Sequence, residues 1–174
     1  MTDSAHTLKH PFRDAMASCA AGVHVITTDG ESGRYGITMT AVTPVTDEPP
    51  TIMLCINRKA AIIPILQTNR DLCINTLSES QQDIAEHFAG LTGLSPEERF
   101  AYHIWNRGET GQLEVEDALA HLHGRIVSRN RDAFYLLRRN QRNQKFRHAP
   151  PGFIVFPTAI QIIGIKAPQA RKVV

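Results

Sequence analysis

The chain has 174 residues and a mass of 19.4 kDa, with 42% hydrophobic residues, 21% charged residues and a net charge of +2. These values are those of one globular domain, and they exclude collagen-like, low-complexity and disulfide-rich proteins. No apolar run approaches the roughly 20 residues that a membrane-spanning helix needs, and the N-terminal residues lack the apolar segment of a secretory signal. The composition therefore predicts a soluble, cytoplasmic protein.

The first part of the chain predicts a short helix followed by strands. Residues 11–19 carry apolar side chains at helical spacing directly after a proline, which favours a helix start. β-Branched residues predict a strand over 22–28 and a second strand over 35–46, joined as a hairpin. Residues 47–50 form a turn with two prolines, and the apolar run 51–56 predicts a buried strand.

The following residues alternate helices and strands up to residue 127. In order, the pattern predicts a helix within 58–69, a strand over 71–76, a helix over 80–88, a long surface excursion over 90–117 and a strand over 118–127. Short strands with few long helices indicate an antiparallel β-barrel rather than repeated βαβ units.

Charge is distributed unevenly between the two parts of the chain. Residues 128–174 hold 10 Lys and Arg and a single acid, Asp132, whereas residues 1–127 hold 9 Lys and Arg and 16 acids, so the net charges are +9 and −7. This asymmetry is unusual for one folded domain. Three explanations remain open: an arm that binds nucleic acid or an anionic surface, a solvated tail, or a tail translated in a different reading frame.

Motifs that commonly mark catalytic or metal sites are absent from the sequence. Three cysteines at wide spacing predict neither a disulfide framework nor a zinc site, and no GxGxxG, P-loop, HExxH or GxSxG motif occurs. His121 and His123 lie two apart on one predicted strand face, which would suit two metal ligands. No cysteine or carboxylate accompanies them at ligand spacing, so ordinary strand histidines are favoured. The sequence predicts no metal site and no catalytic side chain.

A strand rich in threonine provides a weak signal for a ligand. Gly36 would let the backbone approach a flat molecule, and Thr38 and Thr40 would present hydroxyl groups on one face. Such a strand suits an aromatic heterocycle, although most threonine-rich strands have no ligand.

Nine short segments across residues 11–127 occur in the same order as in one known family. They are Phe12–Met16, Val25–Gly30, Gly36–Thr38, Val45–Asp47, Pro49-Pro50, Cys55–Asn57, Leu72–Asn75, His87–Gly90 and Glu97–Phe100. In these segments the chain resembles the short-chain flavin reductases. Within that family it is most similar to the reductase components of 4-hydroxyphenylacetate 3-monooxygenases, ahead of the flavin reductases of pyrimidine breakdown, because of the His-Phe-Ala-Gly and Glu-Glu-Arg-Phe segments.

The resemblance implies a mainly β protein with short helices, the FMN-binding split β-barrel, assembled as a homodimer with flavin near the subunit interface. Arg58 would offer a cation to the flavin phosphate. The Cys55 side chain equally fits a buried strand position, so its backbone is the expected contact. The residues that match the family's FMN or FAD contacts are Gly36, Ile37, Thr38, Thr40, Ala41, Cys55, Ile56, Asn57, Arg58, Ala61, His87 and Phe88.

The reaction implied by the resemblance is hydride transfer from NADH to the flavin, followed by release of reduced flavin to the oxygenase component of a two-component aromatic hydroxylase. The flavin carries this chemistry, so no side chain is required as acid or base. The alternatives are a reductase that serves another oxygenase, and a flavin-binding barrel without activity.

After Val127 the family pattern ends. Its Gly-Thr-His segment and its last strand are missing, yet a reading frame shifted by one nucleotide can restore both at the correct separation. We therefore expect residues 128–174 to be out of the family's frame, replacing the last barrel strands; the alternative is an authentic basic tail. Residues 138–147 have too little apolar alternation for a strand, whereas 153–156 and 160–163 are apolar enough to pair with the sheet.

Overall fold

A computed structural model describes residues 9–57, 59–129 and 156–166. In this part of the chain none of the helices has the length and apolar character that crossing a membrane requires. Arg58 and residues 130–155, which include the predicted non-strand segment 138–147, lie outside the described residues.

Seven strands form one antiparallel sheet, and two further strands form a small hairpin. The order across the large sheet is β2-β1-β5-β8-β9-β4-β3, and the hairpin pairs β6 with β7. In chain order the strands are β1 (His24–Gly30), β2 (Gly33–Met39), β3 (Val42–Asp47), β4 (Pro50–Ile56), β5 (Asp71–Thr76), β6 (Trp105–Arg107), β7 (Leu113–Val115), β8 (Ala120–Arg129) and β9 (Phe156–Lys166).

The predicted hairpin between the first two strands is confirmed, but the predicted single strand over 35–46 is wrong. β2 pairs with β1 from Gly33 to Met39. The chain then leaves this ladder at Thr40, and β3 pairs with β4 at the opposite end of the strand order. Continuous β-branched composition hid the break, because both strands favour the same residue types.

Among the described residues, three α-helices accompany the sheet: α1 (Lys9–Ala17), α2 (Ile62–Asn69) and α3 (Gln82–Ala89). α2 ends at Arg70 and α3 at Gly90, which adopt left-handed conformations with φ of 64° and 78° and donate their backbone N–H groups to carbonyls of the last helical turn. At the end of α2, Asn69 donates to the carbonyl of Gly33 at 2.9 Å and accepts from the N–H of Ser32 at 2.9 Å. α2 therefore stabilises the β1–β2 turn.

Apolar side chains are buried on both faces of the sheet. Ile26 packs with Leu54, Leu72 and α2 in one cluster, whereas the preceding residue, Val25, packs with Phe88 of α3 in the other. Neighbouring strand residues point to opposite faces, so β1 is covered on both sides. This explains why β1 and β5 are buried almost continuously instead of alternating.

One feature of the fold differs from the prediction, and another was predicted only in part. The expected surface excursion over 90–117 is wrong in its second half, because it contains the β6–β7 hairpin and β7 is buried. In addition, β9 lies between β8 and β4 and pairs with both strands. Residues 160–163, which were expected to pair with the sheet, lie within β9.

Candidate functional site

The predicted site residues come from three places in the fold. One group follows β2 into its connection with β3, a second follows the end of β4 toward α2, and a third belongs to α3. The first group comprises Gly36, Ile37, Thr38, Thr40 and Ala41, the second Cys55, Ile56, Asn57 and Ala61, and the third His87 and Phe88.

The first two groups meet where β2 gives way to β3. The N–H of Cys55 donates to the carbonyl of Ala41 at 3.1 Å, which fixes the connection beside the end of β4. Thr40, Ala41 and Asn57 are exposed. Within the described residues, the backbone N–H groups of Thr40 and Ala41 donate to no backbone carbonyl. Two exposed backbone donors are therefore available to an acceptor on a ligand.

Asn57 organises the turn between β4 and α2. Its side-chain oxygen accepts from the N–H of Lys59 at 2.9 Å, and its carbonyl accepts from the N–H of Ala60 at 2.9 Å. The turn delivers the exposed Ala61 to the start of α2. Arg58 lies outside the described residues, so its predicted contact with a phosphate stays a prediction.

Thr38 connects the threonine-rich strand to the third group. Its hydroxyl donates to the carbonyl of Ala85 in α3 at 2.7 Å. This bond occupies the hydroxyl proton, so Thr38 can offer a ligand only the remaining acceptor capacity of its oxygen. The bond also joins α3 to β2, and so it sets the position of His87 relative to the strand.

Gly36 and Phe88 lie directly against each other. A Cβ atom added at Gly36 would lie 2.5 Å from Cε1 and 2.6 Å from Cδ1 of the Phe88 ring. Phe88 is 2% exposed and makes edge-on contacts with Phe100 and Trp105. The space in front of Gly36 is thus filled by an aromatic side chain, which differs from the expectation that glycine leaves room for a flat ligand there. Phe88 packs in the core of the protein.

Ile37 and Ile56 direct their side chains into the apolar cluster that contains α2. Cys55 is half-buried, and this burial raises the pKa of its thiol. A thiol with a raised pKa is a weak nucleophile at neutral pH. These three residues therefore offer backbone groups to a ligand more readily than reactive side chains.

His87 is half-buried on α3 and has several partners that sequence patterns did not indicate. Its Nδ1 lies 3.0 Å from the hydroxyl of Thr92, and its ring lies 5.2 Å from the ring of Tyr102 and 5.9 Å from that of His103. These residues follow α3 in a loop without regular periodicity, so no sequence signal marked them.

The histidine pair on β8 faces a buried carboxylate that sequence spacing missed. Glu114 of β7 lies 2.8 Å from Nε2 of His123 and 4.0 Å from Nδ1 of His121. The other ring nitrogens are also occupied: Nδ1 of His123 lies 2.7 Å from the Thr110 hydroxyl, and Nε2 of His121 lies 2.9 Å from the Val115 carbonyl. The expectation that no carboxylate accompanies these histidines is wrong, because β7 brings Glu114 alongside β8. A network with its nitrogens engaged in this way is structural.

Comparison with known proteins identifies the family to which the chain is similar. Residues 16–137 match the flavin reductase like domain. The 4-hydroxyphenylacetate 3-monooxygenase reductase component of Salmonella typhimurium is 53% identical over 115 residues, covering 66% of this chain and 68% of that protein. The FMN reductase (NADH) RutF of Enterobacter cloacae is 49% identical over 118 residues, covering 68% of this chain and 71% of that protein.

A crystal structure from Haemophilus somnus that is assigned to the flavin reductases has a TM-score of 0.74 and 32% identity, covering 93% of this chain and 90% of that one. This similarity confirms the predicted fold, which is mainly β with short helices and of the split-barrel type. In the described residues, β2 and β3 are the two edge strands of the large sheet. Together the matched region and the identity of these relatives show that the chain belongs to the flavin reductase like domain family.

Proposed function

We propose that the protein is an NADH-dependent flavin reductase, which reduces FMN or FAD and supplies the reduced flavin to the oxygenase component of a two-component aromatic hydroxylase. The observation that carries the proposal is the pair of exposed backbone donors at Thr40 and Ala41 beside the end of β4, in a chain about 50% identical to reductases of this kind. An oxygenase for 4-hydroxyphenylacetate is the first candidate partner. Service to another oxygenase is the alternative, because relatives named FMN reductase (NADH) RutF are nearly as similar.

The residues around the β2–β3 connection fit the needs of a flavin. The ring system presents carbonyl oxygens and ring nitrogens along one edge, and backbone N–H groups are suitable donors to them. Thr40 and Ala41 would donate to this edge, while Cys55, Ile56 and Asn57 would line it with backbone groups. Arg58 and the start of α2 at Ala61 would lie toward the phosphate.

The remaining predicted residues act mainly by holding these elements in place. Thr38 secures α3 through its bond to Ala85, and Phe88 fills the space at Gly36. His87 extends from α3 on the half-exposed side of the site. Flavin, when bound, would supply the hydride-accepting chemistry, so the chain's contribution is to bind and orient flavin and NADH, and no side chain is required as acid or base.

The protein acts in the cytoplasm as a homodimer, and it reaches its oxygenase partner through reduced flavin. The large apolar side chains exposed on one chain support an interface with a second copy, since water-exposed Leu91 (75%), Ile104 (62%) and Tyr102 (61%) are otherwise unfavourable. Light scattering during size-exclusion chromatography tests this assembly: a mass near 39 kDa, twice 19.4 kDa, is expected, and a mass of one chain would contradict it.

Residues from about 128 onward depart from the family's reading frame, although β9 within them pairs with β8 and β4 in the sheet. Two observations support the change of frame: residues 128–174 carry a charge of +9, and the segments aligned with the relatives cover about two thirds of this chain. Sequencing the nucleotides across codons 124–134 tests the frame. A continuous frame without any restored family motif downstream would refute it.

A substitution at the β2–β3 connection tests the proposed flavin site. Thr40→Trp places a large side chain beside the exposed donors, whereas Thr43→Trp places the same side chain on the exposed face of β3. Because both positions are exposed, neither change should alter the melting temperature by much. We expect Thr40→Trp to weaken flavin binding at least about tenfold, a loss of about 1.4 kcal/mol, and Thr43→Trp to leave it unchanged.

Quenching of flavin fluorescence measures binding, and NADH oxidation with added FMN or FAD measures turnover. Absence of flavin binding at tens of micromolar by the folded protein would refute the reductase. Equal effects of the two tryptophans would refute the location of the site while leaving the activity intact.

A further inference from the structure

A cluster of three potential metal ligands lies beside α3. Asp83 and His87 are four residues apart on this helix, so they project from the same face. His103, from the loop before β6, approaches them. One ligand atom from each of the three side chains lies within 4.8 Å of the other two.

Two of these groups lie at an ion-pair distance that is also close to the separation of neighbouring ligand atoms on one metal ion. Nε2 of His103 lies 3.4 Å from Oδ2 of Asp83. In a tetrahedral zinc site with bonds of about 2.0–2.1 Å, neighbouring ligand atoms are about 3.3 Å apart. Nε2 of His103 is buried and has no hydrogen-bond partner among the described residues. A buried ring nitrogen in that position needs a partner.

The second histidine is already oriented for coordination. Nδ1 of His87 lies 3.0 Å from the Thr92 hydroxyl. When Nδ1–H donates to this oxygen, the lone pair of Nε2 is left for a metal. Histidine ligands in metal sites regularly donate their other ring N–H to such a neighbouring group, which holds the tautomer and the ring orientation.

We propose that Asp83, His87 and His103 form a binding site for one divalent transition-metal ion, with Zn²⁺ as the representative ion. Two imidazoles and one carboxylate select zinc and its first-row neighbours over Mg²⁺ and Ca²⁺, which prefer oxygen ligands alone. The Asp83 side chain is 59% exposed, so an ion can enter beside this carboxylate, whereas Nε2 of His103 is buried. Three protein ligands leave a fourth position open to water or to a ligand.

Titration of the full-length, tag-free protein with Zn²⁺ tests the site in the absence of flavin, by calorimetry and by competition with a chromogenic chelator. We expect one Zn²⁺ per chain. His103→Ala and Asp83→Asn should each lower the affinity at least about tenfold, and Thr92→Val by about tenfold through loss of the orienting bond. Glu79→Gln, the same kind of change at an exposed carboxylate outside the cluster, is the matched control and should change nothing.

Replacement of Zn²⁺ by Co²⁺ provides a second measurement, because four-coordinate Co²⁺ has strong visible absorption that the hydrated ion lacks. The absorption should develop with the parent protein and be lost in His103→Ala. Absence of stoichiometric binding, or equal affinity of the parent protein and His103→Ala, would overturn the proposal. Since no flavin is present, this outcome is independent of whether the protein is a reductase.

Discussion

Replacement of Gly36 by alanine tests the contact between β2 and α3. The new Cβ would lie 2.5–2.6 Å from two carbons of the Phe88 ring. Carbon atoms in contact prefer separations of about 3.5–4.0 Å, so the ring would have to move by roughly 1 Å. Phe100 and Trp105, with ring centroids 4.9 Å and 5.4 Å away, restrict that movement.

The sign of the effect distinguishes the contact from an ordinary glycine substitution. In a strand without steric conflict, glycine to alanine stabilises by about 0.5–1 kcal/mol. Overpacking of a core costs about 1–3 kcal/mol. We expect Gly36→Ala to lower the free energy of unfolding by about 2 kcal/mol, which corresponds to a decrease in the melting temperature of about 4–8 °C for a domain of this size.

Urea unfolding measures the interaction energy between the two positions in four proteins: the parent, Gly36→Ala, Phe88→Leu and the double variant. Because leucine is smaller than phenylalanine, the alanine should be tolerated better in the double variant, and the two effects should couple by more than about 1 kcal/mol. The experiment is done without flavin, so that ligand binding does not contribute. A Gly36→Ala variant as stable as the parent, or strictly additive effects, would refute the reasoning.

Four further predictions concern other parts of the molecule. Asn75 is fully buried and bonds to the Val25 carbonyl and the Val115 N–H, so Asn75→Ala should lower the free energy of unfolding in urea by about 2–3 kcal/mol. A loss below about 0.5 kcal/mol, the scatter of surface substitutions, would contradict this. Burial lowers the pKa of His24 below its ordinary value of 6.5, so the unfolded chain is protonated first and stability falls as the pH decreases through this range; His24→Gln should reduce that slope, and an unchanged slope would exclude His24 as its source. Burial also raises the pKa of the Cys73 thiol, which should react with a thiol reagent only after unfolding, while the exposed Cys19 reacts at once; rapid reaction of both in the native protein would contradict the buried position. The chain should melt at a lower temperature and oxidise NADH more slowly than a counterpart with the family's frame restored after residue 127, and equal values would show that the tail is a functional substitute.

Local sequence patterns predicted the elements in which the residue types themselves indicate burial or helical spacing. The apolar run 51–56 predicted the strand found as β4, Pro50–Ile56, because such a run between turn residues indicates a buried strand. The predicted strand over 71–76 was also correct at both ends. The helix near His87 was also found, since its apolar residues recur at helical spacing and Gly90 ends it. The break at Thr40 was missed because the residues on both sides favour strands equally, and the pairing partner decides where one strand ends.

The chemistry of the sites depends on contacts that no local pattern contains. Glu114 reaches the histidines of β8 from a three-residue strand that is too short to give periodicity. His103 and Thr92 reach His87 from a loop. The family resemblance supplied the candidate flavin residues, but it did not indicate that the hydroxyl of Thr38 is committed to Ala85 or that Phe88 fills the space at Gly36.

The position of β9 sets the order in which the sheet is completed during synthesis. β9 joins β8, at the end of the four-strand set β2-β1-β5-β8, to the β4–β3 pair. Ile52 in β4 pairs with Ile160, which the ribosome adds 108 residues later. Until then the nascent chain carries two separate sheets with open edges on β8 and β4, and such edges favour pairing with other chains. Ribosome-bound chains should therefore depend on chaperones until β9 has emerged, and a change in this strand would act first on the yield of folded protein.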